Sequence, residues 1–395
     1  MLLQALLAFG LLHAADPLTF TIERVALHKQ TDAKWQWFGP RPAAIPGKGQ
    51  PLTLITLQKH LFVSDYYAGP AFMLSRDLGK TWRGPEEVPA LAWRRESPDV
   101  TVAVADVTPG WHKKSKKLLA IGARVRYDAK GHQLDDKPKS HQTSWAVYDP
   151  KTDRWSEWTM IAMPDEPLFN YARSASAQWL EKADGNVLLP FYHGKDAKGP
   201  HAVSVAEFRF DGRELRYLRH GSVHELNVVR GLVEPSITWF NGRYYMTIRN
   251  DLTGYVTTST DGLHYGPMQE WLFDDGGELG SYNTQAHWVT HSDGLFLTYT
   301  RKGANNDHVF RHRAPLFLAQ VDPATLRVLR KTEVILLPDR GATFGNFGAA
   351  NITPNESWVT DSEGMFFAEA KKRGAEGVTW IARILWSRPN RLLTK

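Results

Sequence analysis

The chain has 395 residues, with no cysteine, 31 glycines, 23 prolines, and 15 Trp, 13 Tyr and 18 Phe. Zero cysteine excludes a disulfide framework, a thiolate metal site and a cysteine nucleophile, and 42% hydrophobic with 23% charged residues excludes a disordered chain or a multi-span membrane protein. The formal charge of +6 is thin over this length, and the one dense basic run, Lys113 to Lys117, reads as a solvated turn, so no nucleic-acid partner is expected.

Met1 to Leu12 is an uncharged apolar run closed by His13-Ala14-Ala15 ahead of Asp16-Pro17. The run is too short to span a bilayer and ends in small residues, as a secretory signal over 1–15 does. The alternative is a buried N-terminal helix, which Asp16-Pro17 cuts short. Residues 16–395 then read as one exported domain, secreted or periplasmic, monomeric, with no membrane span and no cofactor.

After residue 16 no long helical periodicity appears. Short alternating or apolar runs are separated by Asp-Gly, Asn-Gly, Asp-Pro and Gly-Lys turns. Residues 19–27 (TFTIERVAL) form a strand without a nearby hairpin partner. Hairpins follow at 52–64, 99–123, 174–192, 236–248 and 286–300, with a fainter copy from Asn346 to Phe367. Outer hairpins stand at 144–160, 205–218 and 317–336.

The six inner hairpins start near residues 52, 99, 174, 236, 286 and 347. That spacing predicts an all-β fold, a six-bladed β-propeller of four-stranded antiparallel blades. A two-domain β-sandwich is the rival, and the regular spacing disfavours it. Strand 19–27 is placed beside 378–386, where it would complete the last blade and close the ring.

Ser75-Arg-Asp-Leu-Gly-Lys-Thr-Trp82 fits the Asp-box pattern S-x-D-x-G-x-T-W, and Ser259 to Tyr265 is a degenerate second copy. Ser and Asp would cap a turn between outer strands, Gly would take a positive φ and Trp would plug the blade. With the hairpin count, the chain resembles the sialidase (neuraminidase) superfamily over nearly the whole mature sequence. The resemblance implies a central pocket on one face, three arginines holding a substrate carboxylate, a Tyr–Glu pair supplying the nucleophile and an Asp as acid/base.

Glu234 and Arg249 match the family's Glu and second arginine; read as residues alone, they are either pocket groups or a buried structural salt bridge. Arg313, or its neighbour Arg311, stands where the third arginine belongs, unless the pair is a solvated basic loop. The first arginine's R-I-P motif is unmatched: Lys48-Gly-Gln-Pro51 occupies that stretch and Arg41 lies earlier. Asp65, then Asp99, are the acid candidates. The nucleophile position reads Gly345-Asn346-Phe347-Gly348, and a phenyl ring cannot attack an anomeric carbon, which leaves Tyr282 from the preceding loop.

A position argument adds to this list. In stacked hairpins, second-strand ends and first-strand starts share one face, which gathers Asp65, His193, Arg249, Arg301, Asp99, Arg173, Glu234, Tyr282 and His287. A ring of Arg with Glu, Asp and His suits an anionic sugar. His287 and His308 either hold loops through hydrogen bonds or ligate a metal, and no metal is expected. The expected activity is an exported exo-glycosidase releasing a terminal acidic sugar from an acidic glycan. The alternatives are a uronate lyase or hydrolase, using Tyr282 with His287 or His193, and a non-catalytic carbohydrate-binding propeller.

Overall fold

Strand Phe20–His28 pairs antiparallel with the last strand of the chain, Thr379–Trp386, in the register Phe20↔Trp386 to His28↔Thr379. The two ends of the sequence thereby share one sheet and shut a ring of six. The computed structural model describes residues 17–29 and 32–393, so the expected signal over 1–15 lies outside the described residues. No helix among the described residues is long and apolar enough to cross a membrane.

Each sheet runs outward from the axis. Blade 1 holds Gln36–Ile45, Leu52–His60, Ala71–Ser75 and Arg83–Glu87. Blade 2 is built on Val100–His112, Lys117–Tyr127 and Gln142–Asp149, with Arg94–Ser97 added inside. Blade 3 holds Tyr171–Arg173, Asn186–Gly194, Ala202–Phe210 and Leu215–His220. Val233–Phe240, Arg243–Arg249 and Tyr255–Ser259 lead blade 4, and His287–His291, Gly294–Tyr299 and Leu316–Asp322 lead blade 5. Gly348–Thr353 and Glu356–Ser362 complete blade 6 beside the two terminal strands.

Besides the strand added inside blade 2, one boundary differs from the sequence expectation in a way that moves the site. The hairpin expected at 52–64 is not innermost: Gln36–Ile45 lies inside Leu52–His60. Pro40, Pro42 and Pro46 disguise that strand as a loop. The innermost strand of a blade is an edge, so a proline there removes no required ladder bond.

The Asp-box turn forms as expected between Ala71–Ser75 and Arg83–Glu87. Asp77 accepts from the Thr81 amide at 2.9 Å and the Gly79 amide donates to Ser75 Oγ at 2.8 Å. A Cβ on Gly79 (φ +80°) would meet the rings of Trp358 and Trp82 at 3.1 and 3.2 Å. Buried clusters of branched and aromatic side chains fill the spaces between neighbouring blades, for example Leu119, Phe169, Phe191 and Phe208 between blades 2 and 3.

Each blade carries a left-handed residue on or beside its inner strands: Gly39, Glu234, Asn283 and Gly345 on or just ahead of the innermost strand, Asp106 on the strand next to Arg94–Ser97, and Ser176 just past Tyr171–Arg173, with φ from 47° to 118°. Register shifts accompany it in blades 1, 2 and 4. Such bulges re-aim a side chain out of the pleat, and non-glycine residues tolerate this backbone only where the surroundings hold it.

Candidate active site

Arg41 stands on the inner strand of blade 1, two residues past the left-handed Gly39, and is buried. Its Nη2 donates to Ser176 Oγ at 2.6 Å and lies 3.6 Å from Asp106 Oδ1. Asp106 is left-handed within an otherwise apolar strand, VAVADV, and its side chain keeps 21% exposure. Burial is the largest influence on its carboxyl and raises its pKa, Arg41 opposes, and the charges of Asp65 and Glu234 raise it further. A raised carboxyl beside a cation can carry a proton into a reaction.

Across the axis, Arg249 Nη1 donates to both oxygens of Glu234 at 2.8 Å, and its Nη2 donates to Asn283 Oδ1 at 2.9 Å. Burial alone would lift the Glu234 carboxyl, but Arg249, backed by Arg230 and Arg313, holds it below the ordinary range. Arg313 donates to the Asn283 carbonyl oxygen. Burial and then the positive charge of Arg249 lower Arg313 to about 10. The fields of Arg41 and Arg313 both act on the buried Asp361, which receives the Gly345 amide at 2.8 Å.

Loop 301–314 positions Arg313. Asn306 is fully buried and donates to the carbonyls of Arg301 and Ala314 at 2.9 and 2.6 Å, while Arg311 and His312 both take left-handed backbone. Arg173, from blade 3, is buried and, among the described residues, donates only to Tyr171 Oη at 3.2 Å. Among the described residues neither Arg173 nor Arg313 has a carboxylate within 4 Å. The Nε atoms of Arg41, Arg173, Arg249 and Arg313 are all buried without a partner among those residues. Buried guanidinium groups such as those of Arg173 and Arg313, without a carboxylate, are short of an anion.

The sequence candidates divide accordingly. Glu234, Arg249, Arg313 and Arg173 converge. Asp65 stands at the mouth on the 61–67 loop, with Tyr67 donating to its carboxylate at 3.4 Å and Tyr127 to its carbonyl at 2.8 Å. Asp99 is exposed in the turn joining Arg94–Ser97 to Val100–His112, because the chain adds a strand before the expected one. Arg301 is tied to Glu333 at 2.7 and 2.9 Å, an ion pair at the outer part of blade 5. Arg311 is exposed and lies over the Phe310 ring.

The histidines lie deeper than expected. His287 is buried against Phe347, bonded through Nδ1 to Ser236 Oγ at 2.9 Å, and burial lowers it to about 3. His193 is equally buried, on Ser204 Oγ at 2.8 Å, and also lowered to about 3 by burial. Burial keeps both neutral near pH 7, and His193 lines a separate cavity with His201 and Glu225 rather than the arginine group. His308 binds Asp339 at 2.6 Å, and no cluster of metal-ligating side chains occurs among the described residues.

Two site residues escaped the sequence reading. Arg41 lies ahead of the stretch where the first arginine's motif is looked for, on a proline-rich inner strand that reads as a loop, and Asp106 sits inside an apolar run, where a lone carboxylate is the available signal. Phe347 is fully buried, so the blade 6 position holds no hydroxyl, and both Glu234 oxygens go to Arg249 rather than to a tyrosine. Tyr282 precedes Asn283 and bonds His312 rather than His287 or His193.

No protein-family model matches the chain, and no curated protein matches it. Solved structures do share its fold. A protein of unknown function from Dyadobacter fermentans is 14% identical at a TM-score of 0.63, over 94% of this chain and 99% of that one. Trypanosoma rangeli sialidase in complex with sialic acid is 14% identical at a TM-score of 0.58, over 94% of this chain and 60% of that one. NanB sialidase from Streptococcus pneumoniae is 11% identical at a TM-score of 0.60, over 91% of this chain and 70% of that one. The chain thus spans about three fifths of the trypanosomal enzyme, and the likeness is one of fold: a six-bladed propeller of the sialidase kind.

Proposed function

We propose that the protein is an exported enzyme that cleaves the glycosidic bond of a carboxylated sugar at the end of an acidic glycan. The sugar's carboxylate lies on Arg41, Arg249 and Arg313, with Arg173 completing the positive field. The observation that carries this reading is the group of four buried arginines around one axis, two of which have no carboxylate partner among the described residues. Guanidinium forks bind carboxylates through paired charge-assisted bonds, and a dry site strengthens them.

Asp106 is the proton donor to the leaving oxygen, with Asp65 at the mouth as the second carboxyl. Glu234, ionised and fixed by Arg249, stabilises positive charge as it develops on the sugar ring. Phe347 removes the tyrosine that the resemblance implies at the blade 6 position. That substitution also favours a second reading, a propeller that binds an acidic sugar without turning it over.

Fluorogenic sialosides and aryl uronides test the reading. Release of the fluorophore, lost in Asp106→Asn, supports it. Failure of a folded protein to bind or cleave either class overturns it.

A further inference from the structure

We propose that Tyr282, His312 and Asp307 form a proton relay that gives this pocket a further activity, β-elimination of a hexuronate residue. The inference rests on the carboxylate reading above and names a substrate class for the same pocket. Tyr282 Oη lies 2.6 Å from His312 Nδ1, and His312 Nε2 lies 3.2 Å from Asp307 Oδ1. A hydroxyl against an imidazole, itself oriented by a carboxylate, is the arrangement that activates an oxygen for proton transfer.

Each arm of the relay is next in sequence to a residue of the arginine group. Tyr282 adjoins Asn283, which accepts from Arg249 through its side chain and from Arg313 through its carbonyl. His312 adjoins Arg313 itself. The left-handed backbone at Arg311 and His312 is held in part by Asn306, which also donates to the His312 carbonyl at 3.3 Å. A base beside a carboxylate clamp is placed for one proton above others, the hydrogen on the carbon that bears the carboxylate. Hexuronates have that hydrogen. Sugars of the sialic acid type do not.

In the step, His312 Nδ1 takes the phenolic proton and Tyr282 Oη takes the C5 hydrogen as a proton. The C5–H electron pair becomes the C4=C5 double bond, and the C4–O bond breaks. The leaving oxygen takes its proton from Tyr282, and His312 returns the proton it borrowed. Neither water nor an oxidant enters. Arg249 and Arg313 stabilise the second negative charge that builds on the carboxylate. Tyr282 meets the substrate; His312 and the exposed Asp307 act through it as positioning residues.

The test gives the full-length protein oligosaccharides of glucuronate or galacturonate. It follows ultraviolet absorbance of the unsaturated product and measures affinity for the same sugars by calorimetry. Absorbance should grow with the unmutated protein, and Tyr282→Phe and His312→Gln should each lower kcat by about 100-fold with affinity retained. A purely structural role would move affinity and folding instead. Binding without any unsaturated product, cleavage that incorporates isotopically labelled water, or an unchanged rate in Tyr282→Phe overturns the relay while leaving the carboxylate reading intact. Absence of binding to every carboxylated sugar overturns both.

Discussion

Arg249 holds Glu234 through a single nitrogen, 2.8 Å from each carboxylate oxygen, and shares its other terminal nitrogen between Asn283 Oδ1 at 2.9 Å and Asp251 Oδ1 at 3.4 Å. The pair is mostly buried, at 7% and 17% side-chain exposure, so the two partners are not equal in what their loss does. Arg249→Ala strands a buried carboxylate, a change that costs roughly 3–5 kcal/mol of stability. Arg249→Met combined with Glu234→Gln should recover much of that loss and still fail to bind a carboxylated sugar. Urea unfolding and calorimetry on the two variants check both halves. If the double variant binds as the unmutated protein does, the pair is only a structural bridge.

Asp106 and Asp99 make opposite predictions. Asp106→Asn should lower turnover by about 10²–10⁴-fold, the usual worth of a positioned acid. Asp99→Asn should leave turnover unchanged, because Asp99 is exposed in a turn. Rates of both variants on one aryl glycoside decide the assignment.

Asp361 links stability to pH. Burial is the first influence on its carboxyl and raises it from 3.8 to about 7, against the amides of Gly345 and Ser362 and the charges of Arg41 and Arg313. The folded state therefore holds this proton when the unfolded chain has lost it. The contribution is fully present below pH 3.8, falls as pH rises and is gone above about 7. A shift of about three units is worth about 4 kcal/mol. In Asp361→Asn this slope should vanish, so its stability difference from the unmutated protein should change between pH 4 and pH 8. Urea midpoints at both pH values that shift in parallel would contradict it.

Ring closure is also testable. Phe20 packs against Trp386 and Phe296 at 5.4 and 5.8 Å, and Arg24 donates to the Leu336 carbonyl at 2.6 Å. Removing the strand Phe20–His28 exposes an edge of blade 6 and leaves the blade with three strands. The melting temperature should fall and unfolding should lose cooperativity in scanning calorimetry. An unchanged transition would show that the ring is held without this strand.

Much of the fold was legible because propeller strands are local hairpins whose period survives in one sequence. The closing of the ring by residues 19–27 beside 378–386 was readable from a strand left without a neighbour. Blade 1 was misread because Pro40 and Pro42 mimic a loop on an edge strand where they cost nothing. Arg41 was lost with it. Position along a strand was readable, but depth was not: His287 and His193 belong to the expected blades yet pack inward. Arg301 has no local signal for its fate, since Glu333 approaches from the outer part of the blade. The left-handed residue in each blade was invisible for a related reason. Asp106, Ser176 and Glu234 carry no glycine to mark the turn.

The central claim is that Arg41, Arg249 and Arg313 together hold a carboxylate. The most direct measurement is a calorimetric titration with a carboxylated monosaccharide and with its methyl ester, which keeps the shape and removes the charge. Two charge-assisted bonds at about 1.5–3 kcal/mol each predict that the acid binds about 100-fold tighter or more, with the preference lost in Arg313→Met. Equal affinity for acid and ester would contradict the account.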